Sequence, residues 1–261
     1  MSKAGAIVHI NGRTQERVDS ALQTIREHVP DANVQGIAAD AGLKINFYLL
    51  NMTKINSLIL KFIKGSPHGV KEITEKLEDL DILVNNVGVY EMKNFQDTTD
   101  EEWFRMFEVN VMSGVRLSRY YFPKLKQKNW GRIIFISSES AVNIPPEMIH
   151  YSASKIAQIA VARGLAEATV GTNVTVNSIL VGPTHSEGMD RIVEQFAESQ
   201  NITTEQVESV VFQTVKPTSL IKRFLKGEEI ANMVLFLSSA ASSGVSGTAM
   251  RVDGGSIRNC I

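Results

Sequence analysis

The sequence predicts an α/β protein, a doubly wound parallel sheet in a single domain spanning 1–261. Three observations predict it. Short apolar runs alternate with amphipathic stretches along the chain. Some runs are continuously apolar, such as Ile133-Ile134-Phe135-Ile136, as strands covered on both faces require. The composition, 43% hydrophobic and 21% charged over 261 residues, suits a globular domain with a sizeable core.

The elements follow in order. Residues 6–10 read as a short strand ending at Asn11-Gly12, and 14–28 place Val18, Leu22, Ile25 and then Val29 at helical spacing. A second strand, 34–39, ends at Asp40. Residues 70–80 read as a helix with Ile73 and Leu77 inward, and 81–84 as a strand entering Asn85-Asn86-Val87-Gly88. Thr99-Asp100-Glu101-Glu102 is a capping-box pattern that starts a long helix, with Trp103, Phe107, Val111, Val115 and Leu117 as its apolar positions. A strand at 132–136, a helix at 150–169 and a strand at 174–181 come next. Residues 187–224 read as helices forming a lid. Met189, Ile192, Phe196 and Phe212 in it are suited to substrate contact, or equally to core or subunit contact. A helix at 228–238 and a strand at 248–252 precede Asp253-Gly254-Gly255.

Charge and cysteine content narrow the function classes. The net charge is −1 with scattered Lys and Arg, which predicts no nucleic-acid partner. Cys260 is the only cysteine, so neither a disulfide framework nor a cysteine-ligated metal forms within one chain. That fits a reducing, cytoplasmic setting. The most apolar stretch, 45–63, carries Lys54, Lys61, Asn46, Asn51 and Asn56 and makes a poor membrane span. No Gly-x-Ser-x-Gly elbow and no His/Cys cluster points to a serine hydrolase or a metal site.

The chemistry concentrates in Tyr151-Ser152-Ala153-Ser154-Lys155. Residues four apart share a helix face. A Lys ammonium near a Tyr hydroxyl favours the phenolate and lowers a pKa that is otherwise about 10. Such a tyrosine can exchange a proton with a substrate oxygen. Alone, the pair is more often a plain surface pair. Thirteen residues earlier, Phe135-Ile136-Ser137-Ser138 ends a strand. Ligands of open α/β sheets bind at that carboxyl edge, where a serine hydroxyl can orient a carbonyl. Alone, a strand-end serine is more often a cap.

Further signals stand in register with these: Asn85 to Gly88, Asn110 within Glu108-Val109-Asn110-Val111, Val176-Asn177-Ser178-Ile179, Gly227-Glu228-Glu229-Ile230 and Asp253-Gly254-Gly255. Together they resemble the short-chain dehydrogenase/reductase family over 4–40 and 68–256. The resemblance implies a Rossmann-like fold and an NAD(P)-dependent interconversion of a small-molecule carbonyl and a secondary alcohol. It implies that Tyr151 is the acid in reduction and the base in oxidation. Lys155 would lower the Tyr151 pKa and hold the nicotinamide ribose. Ser138 would hold the substrate oxygen, with Ser137 and Ser140 as weaker candidates. Asn110 would kink its helix and hold a relay water. Asn85 and Gly88 would line the cofactor channel, Thr184 and Ser186 would approach the carboxamide and pyrophosphate, and Asp40 the adenine amino group. The family usually has Pro-Gly where this chain has Val181-Gly182. Gly12 stands where NAD-preferring members carry an acid, and Arg13 follows it, which favours NADP(H) over NAD(H). The resemblance also implies a homotetramer or homodimer.

Two features depart from the family. Its first strand, glycine loop and most of its first helix have no counterpart before Gly5. Residues 41–68 form an atypical insertion. Of these 28 residues, 15 are Phe, Tyr, Met, Ile, Asn or Lys, whose codons are AT-rich, which suggests translated noncoding sequence. The rival reading is a replacement strand near 45–50. The first reading leaves a sheet with its central strand missing and a weak grip on the pyrophosphate. The alternative function is then a truncated, non-catalytic protein acting as an interaction partner.

Overall fold

The computed structural model describes residues 7–12, 15–38, 58–61 and 67–260. Their strands form one parallel sheet in the order β2-β1-β3-β4-β5-β6-β7. The strands are β1 Val8–Gly12, β2 Val34–Ala38, β3 Leu58–Lys61, β4 Ile82–Asn85, β5 Gly131–Ser138, β6 Val174–Val181 and β7 Ala249–Val252. The helices are α1 Gln15–His28, α2 Pro67–Lys76, α3 Asp100–Phe107, α4 Ser113–Lys128, α5 Ile149–Glu167, α6 Glu187–Gln200, α7 Thr204–Val210 and α8 Gly227–Ser238.

The continuous apolar strands are explained by two cores. On one face, Leu83, Ile133, Phe135 and Val176 pack against Ile73, Leu117, Tyr121, Leu125 and Ala162 of α2, α4 and α5. On the other, Ile82, Val84, Ile134 and Ile179 pack with Ala21 and Ile25 of α1 and Val234 and Leu237 of α8. Alternate residues of one strand therefore serve opposite cores. Full burial of each such side chain contributes about 1.5–3 kcal/mol. Among the described residues, no helix is long and apolar enough to cross a membrane.

The expected gap in the sheet is filled. Leu58, Ile59 and Leu60 of β3 pair with Val8, His9 and Ile10 of β1, and β3 continues onto β4 through Leu58↔Ile82 to Lys61↔Asn85. Part of the atypical insertion thus supplies the central strand, and β1 and β4 both have a hydrogen-bonding partner. The position proposed for a replacement strand, 45–50, lies outside the described residues.

The long helix begins where the sequence places it. The Thr99 Oγ1 accepts from the Glu102 amide, and the Glu102 carboxylate accepts from the Thr99 amide at 2.8 Å. The helix is not uniform: a π-helical turn, Glu108–Met112, separates α3 from α4. The segment expected to form a lid folds as α6, α7 and a second π-helical turn, Val211–Val215. Phe212 is buried and packs edge-on against Phe224 with ring centroids 5.2 Å apart, so it belongs to the interior of the lid.

Where the family pattern has Pro-Gly, the chain departs at Val181 but keeps Gly182, and packing accounts for the glycine. A Cβ at Gly182 would lie 2.9 Å from the Asp253 backbone. The Gly182 amide donates to the Val252 carbonyl at 2.9 Å, tying the end of β6 to the end of β7. Gly182→Ala should therefore destabilise the fold by about 1–3 kcal/mol, read as a lower urea midpoint at unchanged m-value. An unchanged midpoint would show that the two backbones can move apart freely.

Candidate active site

The carboxyl end of β5 and the first turns of α5 bring together the residues that the sequence separates. Ser138 is the last residue of β5, and its Oγ accepts from the Ser140 amide at 3.1 Å. The Ser138 hydroxyl lies in hydrogen-bonding reach of the Tyr151 hydroxyl. Ser137 points the other way and donates to the Lys155 carbonyl at 2.8 Å, pinning α5 to β5. Ser140 is buried in the turn that follows. Ser138 is therefore the serine of the three that meets Tyr151.

Lys155 is buried one turn along α5 from Tyr151. Its Nζ donates to the Ile136 carbonyl at 2.9 Å and to Gln158 Oε1 at 3.1 Å, and lies 5.7 Å from the centre of the Tyr151 ring. This geometry differs from the expectation that Lys155 draws the Tyr151 pKa down. Burial pushes the Tyr151 hydroxyl up to about 12, only partly opposed by its bond to Ser138. Tyr90, edge-on to Tyr151 at 6.2 Å, and Glu139 push in the same upward direction. The Lys155 ammonium is lowered to about 8 by burial. Both shifts disfavour the charged form, as desolvation requires. Tyr151 thus keeps its proton at neutral pH.

Asn110 sits fully buried in the π-helical turn that interrupts the long helix. Its side chain is fixed by the Val89 backbone, Ser154 and the Met106 Sδ, to which Nδ2 donates at 3.2 Å. Oδ1 accepts from the Val89 amide at 2.7 Å, while Nδ2 donates to the Val89 carbonyl at 2.9 Å and to Ser154 Oγ at 2.8 Å. Its backbone carbonyl accepts from Gln158 Nε2 at 2.5 Å. Gly88 runs against the same cluster, since a Cβ there would lie 3.3 Å from Lys155 Nζ and 3.7 Å from Asn110 Oδ1. Asn85, at the end of β4, is turned onto α4 and donates to Ser118 Oγ at 3.3 Å, leaving its Oδ1 with no hydrogen-bond partner. Thr184 donates to the Gly182 carbonyl at 2.8 Å in the loop after β6, and Ser186 caps α6 by accepting from the Met189 amide at 3.1 Å. Arg13 and Asp40 lie outside the described residues.

Gln158 and the Glu139–Lys216 pair escaped the sequence reading. Gln158 joins Lys155 to Asn110. Buried Glu139 forms an ion pair with Lys216, which follows the lid's π-helical turn and so fastens the lid to the floor beside Ser138. A partner 77 residues away leaves no local signal, whereas Gln158, one turn beyond Lys155, falls on its helix face. His150 is buried edge-on to Trp103, with ring centroids 6.0 Å apart, and burial lowers its pKa.

Comparison with known proteins gives the family. Residues 66–256 match the family model described as enoyl-(acyl carrier protein) reductase. The chain is 45% identical over 255 residues to an uncharacterised oxidoreductase of Bacillus subtilis, YvrD, covering 98% of this chain and 88% of that one. It is 32% identical over 183 residues to a D-beta-hydroxybutyrate dehydrogenase of Rhizobium meliloti, covering 70% of each. Among solved structures, L-sorbose reductase from Gluconobacter frateurii, complexed with NADPH and L-sorbose, superposes with a TM-score of 0.80 at 25% identity, covering 97% of this chain and 88% of that chain. The extent of these matches, together with a serine, tyrosine and lysine gathered at the carboxyl edge of the sheet, places the chain in the short-chain dehydrogenase/reductase family of oxidoreductases.

Proposed function

We propose that the protein is an NADP(H)-dependent oxidoreductase that interconverts a ketone and a secondary alcohol. The observation that carries this reading is the meeting of Ser138 and Tyr151, with Lys155 one turn further along α5. The surroundings fit a nicotinamide nucleotide. Gly88 leaves open the space beside Lys155 Nζ that any side chain would fill. Nζ has three N–H donors, of which the protein takes two. Among the described residues nothing takes the third, which is proposed to meet a ribose hydroxyl. The bound dinucleotide supplies or accepts a hydride at the substrate carbon.

The chain's own residues handle the oxygen and its proton. Ser138 donates a hydrogen bond to the substrate oxygen and stabilises the charge that develops there. Tyr151 gives that oxygen its proton in reduction and removes it in oxidation. Asn110 holds the loop at Val89 against α5 through the Val89 backbone and Ser154, which fixes the height of Tyr151 and Lys155. Asn85, Thr184 and Ser186 are proposed to shape the nicotinamide and pyrophosphate end. Asp40 is proposed to meet the adenine and Arg13 a 2′-phosphate, since Gly12 offers no carboxylate to the ribose. NADPH-bound L-sorbose reductase supports the choice of a phosphorylated cofactor.

Three outcomes follow. Tyr151→Phe removes the transferable proton with little loss of volume and should lower kcat by two to four decades or about that. Steady-state rates of NADPH consumption check it, and near-wild-type kcat would reject the assignment. Because burial raises the Tyr151 pKa, to about 12, the hydroxyl is in its acid form at neutral pH. Reduction should then hold a plateau through neutral pH, and alcohol oxidation should rise with pH as the phenolate becomes accessible. An oxidation rate that falls between pH 7 and 10, or roughly that window, in a protein that stays folded would contradict the base role. Gly12→Asp combined with Arg13→Leu should shift the ratio of kcat/KM values from NADPH toward NADH. An unchanged ratio would mean that Arg13 does not read the phosphate.

A further inference from the structure

We infer that Gln158 is a positioning residue that ties the Lys155 ammonium to the Asn110 carbonyl and fixes which of the Lys155 protons remains for a ligand. The inference rests on the role proposed for Lys155 and goes beyond it. Gln158 is 1% exposed on α5, and both ends of its amide are used in one bridge. Its Oε1 accepts from Lys155 Nζ at 3.1 Å, and its Nε2 donates to the Asn110 carbonyl at 2.5 Å. The bridge joins two elements, the π-helical turn and α5.

An amide is suited to this place for three reasons. It is at once donor and acceptor, so it satisfies an ammonium on one side and a carbonyl on the other. It is neutral at all working pH values, so it orients Lys155 without the upward pKa shift that a carboxylate would impose. It is held at both ends, so the ammonium has one geometry. The Ile136 carbonyl and Gln158 Oε1 take two of the three protons.

The titratable groups around Lys155 do not supply the missing charge. Tyr151 and His150 share its helix, Glu139 lies in the turn after β5, and Tyr90 in the loop after β4. Glu108 of the π-helical turn is paired with Arg116, and Glu139 with Lys216. Burial is the whole cause of the lowered Lys155 pKa. A neutral bridge preserves that state and a charged one would end it.

Two substitutions of near-equal length separate positioning from packing. Gln158→Glu keeps an acceptor, adds a charge and loses the donor to Asn110. Gln158→Met keeps the volume and loses both bonds. The Lys155 titration is read in the cofactor-free protein by NMR of Cε-labelled lysine, with Lys155→Met to assign the signal. The titration should move up by about one unit or more in Gln158→Glu. The pH profile of kcat should move in the same direction. In Gln158→Met, kcat for NADPH-dependent reduction should fall by roughly tenfold or more, with a smaller change in the KM for the carbonyl substrate. Restoration of glutamine's bridge by no other residue is expected, so Gln158→Asn, one methylene short, should behave as Gln158→Met does. Unmoved Lys155 titration in folded Gln158→Glu, or full kcat in Gln158→Met or Gln158→Asn, would overturn the proposal. If the glutamate variant does not fold, the methionine and asparagine kinetics decide it in the same way. Failure of the wider reading looks different: Tyr151→Phe would stay active while the NMR titration still reports whether Gln158 holds Lys155.

Discussion

A lysine taken out of water without a carboxylate beside it has to be held by neutral oxygens, and the site is arranged around that constraint. An unpaired buried ammonium is costly in a low dielectric. Lys155 meets this with the Ile136 carbonyl at the edge of β5 and with Gln158 on its own helix. Each of those partners is fixed in turn. The strand carbonyl is set by the sheet, and Gln158 is set by the Asn110 carbonyl in the π-helical turn. Ser137 closes the circle by donating to the Lys155 carbonyl. A single buried cation thereby locks β5, α5 and the irregular turn of the long helix together. The same dry surroundings keep the Tyr151 hydroxyl protonated, the state that the proposed acid role in reduction requires.

The sheet delivers these groups to one edge. Parallel strands place the ends of β4, β5 and β6 side by side, with Ser138 ending β5 and Gly88 and Thr184 in the loops after β4 and β6. Two buried layers, one with α1 and α8 and the other with α2, α4 and α5, hold the strands rigid. Above the edge, the lid is joined to the floor through the Lys216–Glu139 ion pair and to the β7 end through the Leu220 amide, which donates to the Gly254 carbonyl at 2.8 Å. Glu139 is immediately next to Ser138, so the ion pair ties this segment to the serine's own turn.

The sequence made some of this legible and not the rest, for physical reasons. Ile133, Ile134 and Phe135 declared a strand buried on both faces, and the Thr99 to Glu102 box declared a helix start, because both patterns are local. Ser138, Tyr151 and Lys155 were recognisable through the family resemblance of the combined motifs, not through their spacing alone. The position of the central strand was not: residues 45–50 and 58–61 are both short apolar runs, and tertiary pairing rather than composition selects Leu58 to Lys61. The sign of the Tyr151 shift was also out of reach. Spacing on a helix suggested that Lys155 would lower it, whereas the direction depends on where Nζ points and on how much solvent is excluded. The Glu139–Lys216 pair depends on chain folding over a long separation and has no sequence signature.

The claim that joins these observations is that hydride and proton reach a carbonyl held between Ser138 and Tyr151. It is tested most directly by supplying NADPH deuterated at the transferable position of nicotinamide C4, with a prochiral ketone as substrate, and analysing the alcohol by mass spectrometry and NMR. The account predicts one deuterium on the carbinol carbon, in a single configuration, with the hydroxyl proton drawn from solvent. An alcohol without deuterium at that carbon, or a protein that binds NADPH yet leaves every ketone unreduced, would contradict it.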